Sequence, residues 1–287
     1  MKQSSLREMI ARASRTLGDA GVATPDVDAR LIAASLLDVP PTHLIFADPP
    51  ADFEQLYAAA IERRARREPL QHITGTAHFG PLELRVGPGV FIPRPETEVL
   101  AQWAVAALDG AAEPVVVDLG TGSGALAIFI AQARPDARVV AVERSAAARE
   151  YARANAEANL GAGGASLSIV AGDMTDPALL SELFGRADCV VANPPYVPED
   201  PNLDPEVYFD PNVAVFSGAD GMDAIRGLVP VAHRLLAPGG AIGIEHDDTT
   251  SGAVLDVVRA HGGYTGIRAL EDLAGRARFV TASKLNG

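Results

Sequence analysis

Apolar positions near the start of the chain recur at helical spacing. Leu6, Met9, Ile10, Ala13 and Leu17 share one face of a helix predicted over 4–18, closed by Gly18 and Gly21. Thr24-Pro25-Asp26 predicts a second helix start, with Val27, Leu31, Ala34 and Leu37 on its inner face. A third helix is predicted over 52–67, and Pro40-Pro41 and Pro49-Pro50 punctuate the series. Between 71 and 92 the texture changes to short runs broken by Gly-Pro pairs, which predicts a β-hairpin. From about residue 96 strands and helices alternate. Strands are predicted at 115–119, 138–142, 166–170, 187–192 and 240–244, with helices near 96–108, 123–133, 145–159, 221–236 and 249–260. Two last strands are predicted at 263–269 and 277–283, and the Ala/Gly-rich stretch 161–165 reads as a loop. Unbroken Val/Ile runs belong to strands buried on both faces, as in a parallel sheet with helical crossovers. The pattern therefore predicts a helical domain over 1–70, a linking hairpin over 71–92, and an α/β domain over 93–287 with a mostly parallel seven-stranded sheet.

Composition narrows the partners. The 287 residues are 48% hydrophobic, enough for a sizeable core and unlike a disordered chain. The net charge of −13 opposes a broad nucleic-acid or anionic-membrane surface, because phosphate binding needs a positive footprint. Residues 1–70 carry 9 basic and 10 acidic side chains, so nearly all of the excess lies in the α/β part. The single cysteine, Cys189, sits in an apolar run and reads as a small buried hydrophobe. One cysteine permits no disulfide within the chain, which suits a reducing cytosol. The first residues lack the apolar core of a signal peptide, and no apolar run approaches a membrane span. A cytoplasmic protein is expected.

The first α/β strand runs into Asp118-Leu119-Gly120-Thr121-Gly122-Ser123-Gly124 and then a helix. Glycines let the backbone turn sharply and approach a ligand, and the amides at a helix start suit a polar or anionic group. A phosphate-binding loop would need Gly-Lys-Ser/Thr, but Ala125 follows Gly124. A dinucleotide turn would be G-x-G-x-x-G. The G-x-G-x-G spacing instead resembles the cofactor turn of S-adenosylmethionine-dependent methyltransferases. Glu143 ends the next strand, where a carboxylate can accept both ribose hydroxyls. Asp173 follows the third strand, placed to accept from an adenine amino group, with Met174 against the ring. Alone, each feature has a plain structural explanation; their order along successive strand ends carries the cofactor reading.

The fourth strand ends in Asn193-Pro194-Pro195-Tyr196. A residue before proline is pushed to extended conformation, and proline has no N–H. The segment is therefore stiff and rich in acceptors, with the Asn193 side-chain oxygen able to join them. Such a nest suits a planar –NH2 group, whose delocalised lone pair makes it a poor nucleophile. Holding both hydrogens on Asn193 and the Pro194 carbonyl would fix the nitrogen, and Tyr196 would pack on the plane. No strong general base is expected.

N-P-P-Y at this position is shared by methyltransferases of planar amino nitrogens in DNA, ribosomal RNA and protein. More of the chain is similar to one family. "GVFIPRPETEVL" (89–100), "DLGTGSGALAI" (118–128), "GDM" (172–174), "NPPYVP" (193–198) and "DPNVAVFSGADGMDAIRGLVPVAHRLLAPGGAIGIEH" (210–246) resemble the HemK/PrmC family, the release factor glutamine methyltransferases. The resemblance implies a Rossmann-like class I methyltransferase domain and methyl transfer from S-adenosylmethionine to the Gly-Gly-Gln glutamine of class I peptide chain release factors. It implies cofactor contacts from Gly120, Thr121, Gly122, Ser123, Gly124, Glu143, Asp173, Met174 and Asn193. Phe91, Asn193, Pro194, Pro195 and Tyr196 would hold the substrate amide, and Asn193, Pro194 and Tyr196 would serve catalysis. The helical domain would dock the release factor, with a monomer, no stable nucleic acid and no membrane expected. The alternatives are a DNA adenine-N6 or ribosomal RNA methyltransferase, and a non-catalytic cofactor-binding adaptor. Glu143 replaces the family's usual aspartate, Met174 stands where an aromatic is common, Asp210-Pro211 replaces Glu-Pro, and Glu245-His246-Asp247 departs from Glu-x-Gly. None of these departures is expected to touch the acceptor nest.

Three features stand outside that reading. Arg63-Arg64-Ala65-Arg66-Arg67 reads as a solvated helix end with favourable dipole, or else as a docking patch. The six histidines lack metal-ligand spacing, so no metal is expected. Glu96 and Glu98 open a helix, where carboxylates are favourable in any case.

Overall fold

The computed structural model describes residues 5–161, 166–198 and 205–286. The chain forms two compact units. One takes in the N-terminal part to Thr76, Val86–Pro88 and a segment ending at Phe209; the other holds Ala77–Arg85, the chain from Gly89, and the C-terminal part from Asp210. The loop expected at 161–165 lies, beyond Gly161, outside the described residues.

The first unit contains α1 (Leu6–Asp19), α2 (Pro25–Leu36), α3 (Phe53–Ala65) and α4 (Leu70–Thr74), with a tight turn of helix at Pro41–Phe46. A capping box opens α1: the Ser5 hydroxyl accepts from the Glu8 amide at 3.3 Å, and the Glu8 carboxylate from the Ser5 amide at 2.9 Å. Met9, Ala13 and Leu17 are buried, as the spacing predicts. The face of α2 differs in part from expectation. Ala34 is buried and Leu37 packs against the core as expected, but Val27 is 52% exposed, and Asp28, Ala29, Ile32 and Ala33 are buried beside Ala34. Asp28 turns inward to meet Arg64 at 2.6 Å, while the Ala29 carbonyl accepts from the Tyr57 hydroxyl at 2.9 Å. The inward face is thus set by a buried ion pair, which a count of apolar positions does not register. The same pairing corrects the reading of the basic run at Arg64, while Arg63 and Arg66 stay solvated. Arg64 is buried, and the run is matched by carboxylates throughout: Arg63 to Glu68, Arg64 to Asp28 and Glu206, Arg66 to Glu62, and Arg67 to Glu206.

Next along the chain come β1 (Thr76–Phe79), β2 (Leu82–Arg85), α5 (Thr97–Ala107), β3 (Val115–Leu119), α6 (Ala125–Ala133) and β4 (Arg138–Glu143). They are followed by α7 (Ala146–Leu160), β5 (Ser166–Ala171), β6 (Ala187–Ala192), α8 (Asn212–Val215) and α9 (Asp223–Leu235). The chain closes with β7 (Leu236–Glu245), α10 (Ser251–His261), β8 (Tyr264–Glu271) and β9 (Ala277–Lys284). Seven strands form one sheet in the order β5-β4-β3-β6-β7-β9-β8. The first five in that order are parallel, and β9 runs antiparallel to both its neighbours. Adjacent valines point to opposite faces, and both faces are covered. Val117, Val140 and Val142 pack with Leu228, Val229 and Val254 on one side; Val116, Val139 and Val191 pack with Leu100, Leu126 and Ile130 on the other. This two-sided burial is why these strands read as continuous apolar runs. Cys189 lies in this core, and burial pushes its thiol up to about 12, so it is an inert packing residue. The hairpin β1–β2 inserts Phe79, Leu82 and Leu84 into the second face's core, and the Gly80 amide donates to Glu98 at 2.9 Å. Among the described residues no helix is long and apolar enough to cross a membrane.

Candidate active site

The strand order reverses between β3 and β6, because the chain winds outward through β4 and β5 before returning beside β3. Loops at such a reversal part and leave a crevice at the carboxyl ends of the strands. A cavity of about 500 Å³ occupies that position. Its walls bring together Phe91, Gly120, Thr121, Gly122, Ser123, Glu143, Asp173, Met174, Asn193, Pro194, Pro195 and Tyr196. Gly124 is the exception among the candidates. It is buried behind the wall, where a Cβ would press on Ile128 and Ala152, between α6 and α7.

The turn after β3 is held from both sides. Its Gly120 and Thr121 amides both donate to the Val142 carbonyl at 2.9 Å. Gly120 has φ +81°, and a Cβ there would strike the Met174 methyl. Asp118 is fully buried, and loss of water pushes its carboxyl up to about 7 while Thr121 donates to it at 2.6 Å. Glu143 crosses between loops: one oxygen accepts from the Gly122 amide at 3.0 Å, the other from the Ser145 amide at 2.7 Å. A carboxylate has about four acceptor directions, so further ones remain for a hydroxyl-bearing ligand. Asp173 is half exposed. One oxygen accepts from the Thr175 amide at 2.9 Å and hydroxyl at 2.7 Å, which hold its carboxyl below the usual range, and the other lies 3.9 Å from Arg144.

The acceptor loop is braced beneath. Val197 donates to the Val215 carbonyl and accepts from the Ser217 amide, both at 3.0 Å. Gly221, at φ +73°, lies under the Tyr196 carbonyl so closely that a Cβ would collide with that oxygen. Backbone cannot step aside as a side-chain tip can. Gly221→Ala is accordingly expected to lower kcat by about tenfold or more, at about 1–3 kcal/mol of strain, with the cofactor Kd nearly unchanged. Steady-state kinetics beside calorimetric titration checks this, and unaltered kcat would remove Gly221 from the brace.

The Asn193 amide nitrogen donates to the Thr97 hydroxyl at 3.3 Å, which leaves its oxygen free for the cavity. Tyr196 donates to Glu245 at 3.3 Å. Burial raises the phenol far above its usual range, so Tyr196 is neutral and is not a base. Phe91 is fixed by Arg94, whose guanidinium lies 4.9 Å above the ring centre and pairs with buried Asp210 at 2.6 Å. Asp210 also accepts from the Ile92 amide at 3.3 Å. The sequence reading gives Thr97 and Gly221 no part in the site, and names Asp210 and Glu245 only as departures from the family pattern. It also held the Glu245 departure to be remote from the acceptor nest, and the Tyr196 contact corrects that. The available signal was Glu245's position, an acid closing a buried strand as Asn193 closes β6.

Glu245 is almost fully buried, and loss of water pushes its carboxyl up to about 7. The folded chain therefore keeps a proton that the unfolded chain releases near 4, so stability falls as pH rises from about 4 through about 7. Histidines held low by burial, such as His246, act in the opposite sense, and subtraction of a variant cancels them. From about pH 6 to about pH 8 the melting temperature of Glu245→Gln should gain on that of the unsubstituted chain. Parallel pH dependences would contradict the assignment.

A doubly covered seven-stranded sheet with one antiparallel strand, a glycine turn at its reversal and an asparagine–proline acceptor loop beside it define a class I methyltransferase. Comparison with known proteins narrows the class. Residues 8–75 match the PrmC N-terminal domain, and residues 82–205 match the methyltransferase small domain. The release factor glutamine methyltransferase of Corynebacterium glutamicum is 56% identical over 98% of this chain and 99% of its own length. That of Mycolicibacterium smegmatis is 53% identical over 98% of each. A methyltransferase from Pyrococcus furiosus shares the fold, with a TM-score of 0.51 and 19% identity over 78% of this chain and 98% of its own. The chain belongs to the release factor glutamine methyltransferase family.

Proposed function

We propose that the protein methylates the side-chain nitrogen (N5) of the glutamine in the Gly-Gly-Gln motif of class I peptide chain release factors, using S-adenosylmethionine, and so modulates translation termination. The single observation that carries this is Asn193: its amide nitrogen is engaged by Thr97, so its oxygen faces the cavity that the glycine turn also lines. The cofactor supplies a methyl group already activated by a sulfonium charge. The residues present fit it. Gly120 leaves space that a side chain would fill, Glu143 retains acceptor capacity for ribose hydroxyls, and Asp173 and Met174 line the same wall.

Asn193 and the Pro194 carbonyl take the two hydrogens of the glutamine amide and turn its nitrogen toward the methyl. Tyr196 and Phe91 bound its plane. Position and fixed dipoles supply the acceleration. Neutral Tyr196 takes no proton, so the surplus amide proton would leave for water as the methyl passes from sulfur to nitrogen and its bond to sulfur breaks. The helical unit docks the release factor, and the protein works as a cytoplasmic monomer. Incubation with methyl-labelled cofactor and, in parallel, a release factor, DNA or ribosomal RNA tests the reading. Label in the release factor is expected, and label in nucleic acid alone would reject it.

A further inference from the structure

We propose that Arg144 is a positioning residue that ties the cofactor wall of the cavity to the brace under the acceptor loop; the inference rests on the function proposed above. The cavity has two working sides. The glycine turn, Glu143 and Asp173 form one, and Asn193 to Tyr196 form the other. They stand at the ends of different strands, so their separation must be held for the methyl to meet the nitrogen. A misplacement of about 1 Å there can cost about a hundredfold in rate.

The short helix α8 lies between the two sides, and Val213, Ala214 and Val215 line the cavity. Toward the acceptor loop it is fastened by backbone: the Val215 carbonyl accepts at 3.0 Å from the amide of Val197, the residue after Tyr196. Toward the cofactor wall it is fastened by a side chain. The Arg144 guanidinium donates to the Val213 carbonyl at 2.8 Å and stands 3.9 Å from Asp173. Arg144 is itself well held. It follows Glu143, whose carboxylate is tied to the Gly122 and Ser145 amides. Arg149 on α7 donates to the carbonyls of both Glu143 and Arg144 at 2.8 Å. The backbone from which the guanidinium reaches across is therefore fixed, and α8 is the weaker partner. Four residues are too few for a helix to be stable by itself. Val215 is buried, but Val213 is 54% exposed, so packing holds α8 mainly at one end. A hydrogen bond at the other end then decides where α8 sits. A guanidinium suits the task, because it can give one N–H to Val213 and keep others toward Asp173. The tie thus runs along the edge of the wall where the adenine is proposed to lie, and ends on the segment that braces the acceptor loop.

The test compares Arg144→Met and Arg144→Lys in the full-length protein. Methionine keeps an unbranched stem and removes every donor, whereas lysine keeps a donor that can reach a carbonyl. At saturating cofactor, kcat of Arg144→Met toward a release factor should fall about fivefold to thirtyfold, with KM for the release factor and the melting temperature nearly unchanged. Arg144→Lys should recover most of that loss and stay within about threefold of the unsubstituted enzyme. A second readout needs neither cofactor nor turnover. Hydrogen exchange followed by nuclear magnetic resonance should show the Val197 amide protected in the unsubstituted protein and in Arg144→Lys, and exchanging about tenfold faster or more in Arg144→Met. Unchanged Val197 exchange in Arg144→Met would overturn the inference. So would a loss confined to cofactor Kd, which would make Arg144 a cofactor contact and nothing more. If the unsubstituted enzyme left release factors unmethylated, the function proposed above would fail, while the exchange measurement would still decide whether Arg144 holds the brace.

Discussion

Asn193→Ala is expected to bind S-adenosylmethionine within about threefold of the unsubstituted enzyme while kcat falls about 10²–10³-fold, the range seen when one preorganised electrostatic contact is removed. The glycine turn follows β3, Glu143 ends β4 and Asp173 follows β5, whereas Asn193 follows β6. The substitution removes one side chain and leaves both prolines to hold the loop. The Val197 pairing with Val215 and Ser217 does not involve the Asn193 side chain, so the loop keeps its brace. What is lost is the oxygen proposed to hold an amide hydrogen, and an untethered carboxamide turns its delocalised plane freely. The loss should fall on kcat more than on affinity for the release factor, whose docking is assigned to other residues. Calorimetry for the cofactor and single-turnover kinetics for the methyl separate the two. A kcat within threefold of the unsubstituted enzyme would end the role given to Asn193, and loss of cofactor binding would move it to the cofactor side.

Gly120→Val should act the other way round. The position has φ +81°, where a β-branched residue is a strained outlier, and its Cβ would meet the Met174 methyl. Methionine can swing aside, but only by moving along the wall where the adenine is proposed to lie. Both amides of the turn donate to Val142, so the turn cannot shift without breaking the tie to β4. We expect cofactor affinity to fall about a hundredfold or more and turnover at ordinary cofactor concentrations to vanish, from about 2–4 kcal/mol of combined strain and collision. The fold should persist, because β3 and α6 remain in register. Calorimetric titration with circular dichroism on the same sample reads both. Unchanged affinity in a folded variant would show that the turn does not approach the cofactor.

The strands were legible in the sequence for a physical reason. A sheet covered on both faces needs unbroken apolar runs, and β3, β4 and β6 lie where those runs lie. The apolar pattern marks only the second half of β7, because Leu236–Gly239 mixes proline and glycine into its start. Single turns of helix such as Asn212–Val215 span less than two helical periods and leave no repeat to detect. In the site, residues at the ends of strands β3 to β6 were found, because a polar or glycine residue closing an apolar run is conspicuous. Residues acting from behind were not. Thr97 looks like an ordinary helix start, Asp210 like a loop acid, and Gly221 like one glycine among 27. Thr97 meets Asn193 across 96 residues of chain and Asp210 meets Ile92 across 118, separations that periodicity does not encode. The face of α2 was read only in part for the same reason: Ala34 is inward as expected, but Asp28 turns in to meet Arg64 while Val27 is exposed.

A crystal structure of the enzyme with a release factor and the demethylated cofactor would test the central claim most directly. The account predicts the glutamine amide nitrogen about 2.7–3.2 Å from both the Asn193 side-chain oxygen and the Pro194 carbonyl, with its lone pair aimed at the sulfur. The glutamine oxygen turned toward Asn193, or the amide lodged away from the cavity between the glycine turn and Tyr196, would contradict it.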